Sequence, residues 1–281
     1  MKQVRQPAVA GAFYPAQKQI LADDVNVLLS SGLSLVQRLS TPVFPKAIIV
    51  PHAGYIYSGL TAATAYASLQ AVRDTIKRVV LLGPVHRVPV SGLALPGTDI
   101  FATPLGEIEI DQQAVDLIRN MPQVVESAAA HAQEHSLEVQ LPFLQTVLND
   151  FKLVPLAVGN ATPQQVAEVL DVLWGGPETL IVISSDLSHF LSYRDAQQVD
   201  AGTVHEILNL DASLNHQQAC GGTPVNGLLI AAKQHHLQPQ LLDIRNSGDT
   251  AGDKGRVVGY AAIAFSNAAE AKQAGTEYYD D

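Results

Sequence analysis

Side chains able to bind a metal or move a proton stand just after apolar runs at several points of this 281-residue chain. IIVPHAGY carries His52, VVLLGPVH carries His86, and LIVISSDLSH carries Asp186 and His189. Cys220-Gly221-Gly222 opens a helical pattern. A continuous Val/Ile/Leu run marks a strand buried in a parallel sheet. Open α/β sheets bind ligands just beyond the carboxyl ends of such strands. Residues far apart in sequence thus share one kind of address, which predicts one composite site, with metal binding the chemistry that suits His, Asp and Cys.

Each residue also has a plainer role. His52 is a metal ligand or acid/base group, or else a histidine satisfied by loop backbone, and His86 is a site residue of the same kind or else an exposed loop histidine. Asp186 and His189 are three apart and share a face if the loop is turn-like. The carboxylate then binds metal or orients the imidazole, or it caps a short helix. Cys220 is the single cysteine, so no intrachain disulfide forms. At a helix N-terminus its thiol is expected to have a lowered pKa, and the alternative is a small buried hydrophobe. Glu134-His135-Ser136 opens a predicted helix over 134–148, placing His135 beside the pocket and Glu134 where a helix N-terminus favours negative charge. His131 is a weaker candidate, and His205, His216, His235 and His236 read as solvated. No GxxxxGK[ST], GxSxG, HExxH or CxxC motif occurs, and the dispersed candidates fit a metal site better than a hydrolase triad.

The elements that must hold these residues alternate along the chain. Helices are expected at 20–30, 58–70 with Ser58 as cap, 111–119 with Asp111 as cap, 134–148 with Pro142 kinking it, 163–174 with Thr162 as cap, 195–209 and 223–235. Strands are expected at 46–50, 78–82, 152–158, 180–184 and 257–265. This order predicts a three-layer α/β/α sandwich with a central mostly parallel sheet. One domain over 1–266 is expected, with a polar tail at 267–281 that frays.

Composition narrows the functional classes. The chain is 47% hydrophobic, enough for an extensive core, and its net charge is −10 with no Lys/Arg cluster. Tracking phosphates needs concentrated cations, so nucleic acid is not an expected partner. No apolar run nears the roughly 18–20 residues that span a bilayer, and no signal-peptide pattern opens the chain, so a cytoplasmic location without membrane association is expected.

The chain resembles the Memo family. The resemblance lies in AGAFYPA near the N-terminus, PHAGYIYSG, LLGPVH, TPLG with EID at 103–111, EHSLEVQLPFL, SSDLSH, CGGTPVNGLL and VGYAAIAF. Bacterial and archaeal relatives are called AmmeMemoRadiSam system protein B. The resemblance implies a fold like that of class III extradiol dioxygenases, which hold iron with two His and a carboxylate. It implies a metal triad of His52, His86 and Cys220, with His189 as acid/base, Asp186 orienting it or joining the ligands, and Tyr55 and His135 shaping the pocket. A thiolate in place of the carboxylate makes a softer donor set, which admits iron first, with copper or zinc as alternatives, and argues against ring opening. The resemblance further implies a metal-dependent redox enzyme acting with an AMMECR-like protein and a radical SAM enzyme. The other readings are a non-catalytic module that binds a peptide or small aromatic ligand, and a metal buffer.

Overall fold

The computed structural model describes residues 2–39 and 43–267. The elements in chain order begin with β1 (Val4–Arg5), α1 (Lys18–Val36), β2 (Pro45–Val50), α2 (Tyr55–Ala67), β3 (Arg78–Pro84), β4 (Leu93–Leu95), β5 (Ile100–Thr103) and β6 (Gly106–Glu109). Next come α3 (Gln112–Ile118), β7 (Val124–Glu126), α4 (Ala128–Ala132), α5 (Leu141–Val147), β8 (Lys152–Val158), α6 (Pro163–Leu173) and β9 (Thr179–Ser184). The order closes with β10 (His189–Leu191), α7 (Tyr193–Leu208), α8 (Gly222–Gln234), β11 (Leu237–Asn246) and β12 (Val257–Asn267). The tail expected to fray lies, from residue 268 on, outside the described residues, as does part of the linker before β2.

A large sheet runs in the order β10-β12-β2-β9-β3-β8-β4-β7, with β11 on the far edge of β12. Its heart, β2-β9-β3-β8, is parallel. The apolar runs of these four strands are almost wholly buried, as expected of parallel strands covered on both faces. The sheet as a whole is mixed, not mostly parallel. Four of the eight ladders described are antiparallel, three made by β12 and one by β4 on β8. A small second sheet joins β1, β5 and β6. Helices flank the large sheet: α2 packs on β2, β11, β12, α1 and α5, whereas α8 packs on β3, β9, β11 and α6.

Local chemistry explains where the elements start. Asp111 caps α3 by accepting from Ala114 N, and Thr162 with Gln165 forms a capping box on α6 ahead of Pro163. Two expectations are corrected. The helix α2 begins at Tyr55 with Gly54 as its cap position, and the Ser58 hydroxyl donates to Ala53 O. The helix expected over 134–148 is a 3-10 turn at Glu138–Gln140 followed by α5, with Pro142 in its first turn. Proline is tolerated there because those N–H groups have no helical partner. Residues 134–136 are thereby free to bend toward the ends of β2 and β3.

Candidate metal centre

His52, His86 and Asp186 follow β2, β3 and β9, which lie side by side in the order β2-β9-β3. Cys220 comes from the turn before α8 and reaches the same place. One ligand atom each from His52, His86 and Cys220 lies within 4.8 Å of the others. His52 Nε2 and Cys220 Sγ are 3.3 Å apart. Ligand atoms on one tetrahedral metal with bonds of 2.0–2.3 Å sit roughly 3.3–3.8 Å apart, so this donor set fits a single ion with small adjustments.

Groups behind the ligands fix their orientation. The Tyr66 hydroxyl donates to Gln140 Oε1 at 3.0 Å. This turns the Gln140 amide so that Nε2 donates to Ser184 Oγ and to Pro51 O, both at 2.9 Å. Ser184 Oγ spends its one hydrogen on Ser136 O at 2.6 Å. Its contact with His52 Nδ1 at 2.9 Å is therefore received, so His52 is an Nδ1–H tautomer with the Nε2 lone pair facing Cys220. Burial pushes the His52 pKa down to about 4, against the pull of Asp186, so the ring is neutral at pH 7 and able to ligate.

Asp186 takes a different place from the one expected. Its Oδ1 accepts the His52 backbone N–H at 2.7 Å, while His189 Nδ1 sits 2.9 Å from Leu187 O. Among the described residues no Asp186–His189 hydrogen bond forms, so Asp186 orients the His52 loop and not the His189 ring. His189 lines a groove of about 990 Å³ that also reaches His86 and Cys220 and runs along Gly202, Glu206 and Gln218. His135 lies 4.6 Å from His86 with the rings tilted by 34°, edge-on to His52 at 5.3 Å, and 4.7 Å from the Phe13 ring. Tyr55 donates to Val139 O and packs on Phe143 in the core, away from the groove lining.

The expectation of an acidified Cys220 is overturned. Burial pushes its thiol up to about 12, with Asp186 adding to the effect. The helix-terminus argument assumes a solvated thiol; here the group is half-buried against Ser185 and the Asp186 carbonyl. Without a metal it is a neutral thiol beside a neutral imidazole, and ligation would displace its proton.

Sequence reasoning gave no pocket role to Ser184, Gln140 or Glu134. Their hydrogen bonds are tertiary, and only a polar residue ending the apolar run of β9 hinted at Ser184. Glu134 sits with His86 and His135 in a second group of closely spaced donor atoms. Burial would raise its carboxyl, yet hydrogen bonds from His135, His86 and Ser136 hold it well below the usual carboxylate range. His131 is a core residue, its Nε2 2.7 Å from Ala94 O. His216 is exposed, as expected, and also lines the groove, with Nδ1 3.4 Å from Cys220 O.

The fold and pocket thus define a mixed α/β protein in which two strand-end loops and the turn before α8 gather two imidazoles and a thiol. Residues 5–264 match the Memo-like protein family. A MEMO1 family protein of Sulfurisphaera tokodaii is 35% identical over 94% of this chain and 100% of its own. Its counterpart in Ignicoccus hospitalis is 37% identical, over 93% and 98%, and that of Aquifex aeolicus 36%, over 93% and 99%. The chain belongs to the Memo family. Among solved structures it is similar to the uncharacterized protein JW3007 from Escherichia coli K12, with a TM-score of 0.45 and 11% identity over 78% of this chain and 98% of that one. So faint a likeness carries no argument about the fold.

Proposed function

We propose that this Memo-family protein is a metal-binding protein whose ion is held by His52, His86 and Cys220. The observation that carries the reading is the convergence of these three donors, two imidazole nitrogens and a sulfur, from separate loops. Each imidazole has its Nδ1 engaged by a protein group, Ser184 for His52 and Glu134 for His86. This is the arrangement by which proteins orient histidine ligands. The donor set suits iron, copper or zinc. A bound ion of that kind would supply Lewis-acid or one-electron chemistry beside the groove.

The chain's own residues would do the rest. The groove admits a ligand past His189, whose Nδ1–H is tied to the Leu187 carbonyl and whose Nε2 is then the atom that exchanges protons. Asp186 keeps the His52 loop in place. The redox activity, the three-layer dioxygenase-like architecture, and partnership with an AMMECR-like protein and a radical SAM enzyme belong to the proposal and rest on the resemblance. A second reading, in which the groove holds a peptide or small aromatic ligand without turnover, is favoured only by the groove's size.

Metal analysis of untagged protein tests the reading. About one iron, copper or zinc per chain is expected in the wild type, and a loss of most of it in His52→Ala and Cys220→Ala. Stoichiometric metal that survives both substitutions would sink the proposed ligand set. Oxygen uptake by the loaded protein with catechols or peptides separates an enzyme from a binding module.

A further inference from the structure

Glu134 stands at the meeting point of the pocket's hydrogen bonds. Its Oε1 receives the backbone N–H groups of His135 and Ser136, both at 3.0 Å, and faces His86 Nδ1 at 2.9 Å and His135 Nδ1 at 3.2 Å. Its Oε2 receives the His86 backbone N–H at 2.5 Å. An ionised carboxylate only accepts. The His86 nitrogen hydrogen-bonded to it must therefore carry hydrogen. Without hydrogen, the His135 nitrogen at 3.2 Å would set a lone pair against the same carboxylate oxygen. In a neutral ring with hydrogen on Nδ1 the Nε2 carries none. This reverses the Nε2–H tautomer that a free histidine side chain favours in water.

The backbone of Glu134 is itself held from behind. Arg5 Nη2 donates to the carbonyl of Glu134 at 2.8 Å and to that of His131 at 3.0 Å. The Arg5 guanidinium also pairs with Glu138, which accepts from Ala8 N, Val9 N and the Tyr14 hydroxyl. The N-terminal segment thus fixes the backbone that carries Glu134, and Glu134 fixes two rings.

We infer that Glu134 is a positioning residue, one carboxylate that sets the tautomers of His86 and His135 together, leaving the Nε2 of His86 free to ligate and that of His135 without hydrogen. The inference rests on the metal-site reading for the role of His86, though not for the tautomers. A role confined to capping the 134–136 turn would leave the ring tautomers untouched.

The test reads the rings directly. In metal-free, ¹⁵N-labelled protein at a pH where histidine is neutral, two-bond imidazole correlations report which nitrogen is protonated. His→Gln variants assign the signals. The wild type is expected to show Nδ1–H at His52, His86 and His135. In Glu134→Ala, His86 and His135 should move toward Nε2–H while His52 does not. Zinc affinity, titrated with the ion alone, should fall by about 10–100-fold. Should the alanine variant fail to fold, Glu134→Gln keeps one acceptor oxygen for the turn. It should release at least one of the two rings and weaken zinc by about tenfold. Nε2–H at His86 and His135 in the wild type overturns the inference. So does Nδ1–H at both rings in the folded alanine variant, or in the glutamine variant with zinc affinity within twofold of wild type. A wild type that binds no zinc, iron or copper would defeat the metal reading alone, because the ring signals still decide the role of Glu134.

Discussion

Ser184 does for His52 what Glu134 does for His86, with a hydroxyl in place of a carboxylate. Its single oxygen accepts from Gln140 and His52 and donates to Ser136 O. Ser184→Ala would strand a buried ring N–H, an amide N–H and a carbonyl at once. A buried group left without its partner costs about 1–3 kcal/mol, so a stability loss of that order is expected in urea unfolding. Zinc affinity should fall by about tenfold as the ring loses its fixed tautomer; wild-type affinity in a folded variant would mean that packing alone orients His52. At this scale the ligand-type residues were legible in the sequence, because histidines after apolar runs and a single cysteine ahead of a helical pattern stand out. Their supports were not. Ser184, Gln140 and Glu134 are ordinary polar residues until the fold brings Ser184 and Glu134 within 3 Å of a ring and Gln140 within 3 Å of Ser184. Cys220 shows the opposite failure, where a correct local rule about helix termini is outweighed by burial.

Elements bring the loops together, and glycine decides how closely. Gly221 precedes α8 at φ −91°, a conformation open to any residue, so its absent side chain matters for space alone. A Cβ there would meet Ser185 Cβ at 2.7 Å and the Ser184 carbonyl oxygen at 3.0 Å. Gly221→Ala must therefore push the Cys220 turn away from the end of β9. Overpacking of this kind costs about 1–3 kcal/mol, which leaves the protein folded. A site loosened by even about 1 Å loses function, so metal binding should weaken at least tenfold by titration. Unchanged affinity would show that the turn adapts and that this close approach does not set the position of Cys220. The strands most legible in the sequence were the buried parallel ones, β2, β3, β8 and β9, whose runs are unbroken. The antiparallel edge was harder. β11 is half exposed, carries Pro239 and, among the described residues, pairs only with β12, so its pattern lacks a run. Proline is at home on such an edge, yet in a sequence it argues against a strand. The stretch 134–148 has helical periodicity, but the hydrogen bonds that Glu134 makes to His135 N and Ser136 N hold its first turn open.

On the scale of the whole molecule, the buried imidazoles tie stability to pH. His52 and His131 lie in different parts of the core, and burial pushes each from 6.5 down to about 4. Between those values the unfolded chain takes up a proton at each site and the native protein does not, so stability must fall as pH drops from about 6.5 toward 4. It is fully present above 6.5. Each group contributes about 3 kcal/mol to that loss at most. Two such groups would consume much of the 5–15 kcal/mol typical of a domain. His131 is the cleaner probe, because it makes no contact with the proposed ligands and holds Ala94 O through Nε2. His131→Gln keeps a donor for that carbonyl and removes the titration. Urea unfolding at pH 7.5, 6.5, 5.5 and 4.5 should show the wild type losing stability through this window. The variant should be less stable at pH 7.5 yet lose about half as much on acidification. Parallel curves for the two proteins would mean that acid opens the molecule through its carboxylates, with the Arg5–Glu138 pair the first place to look.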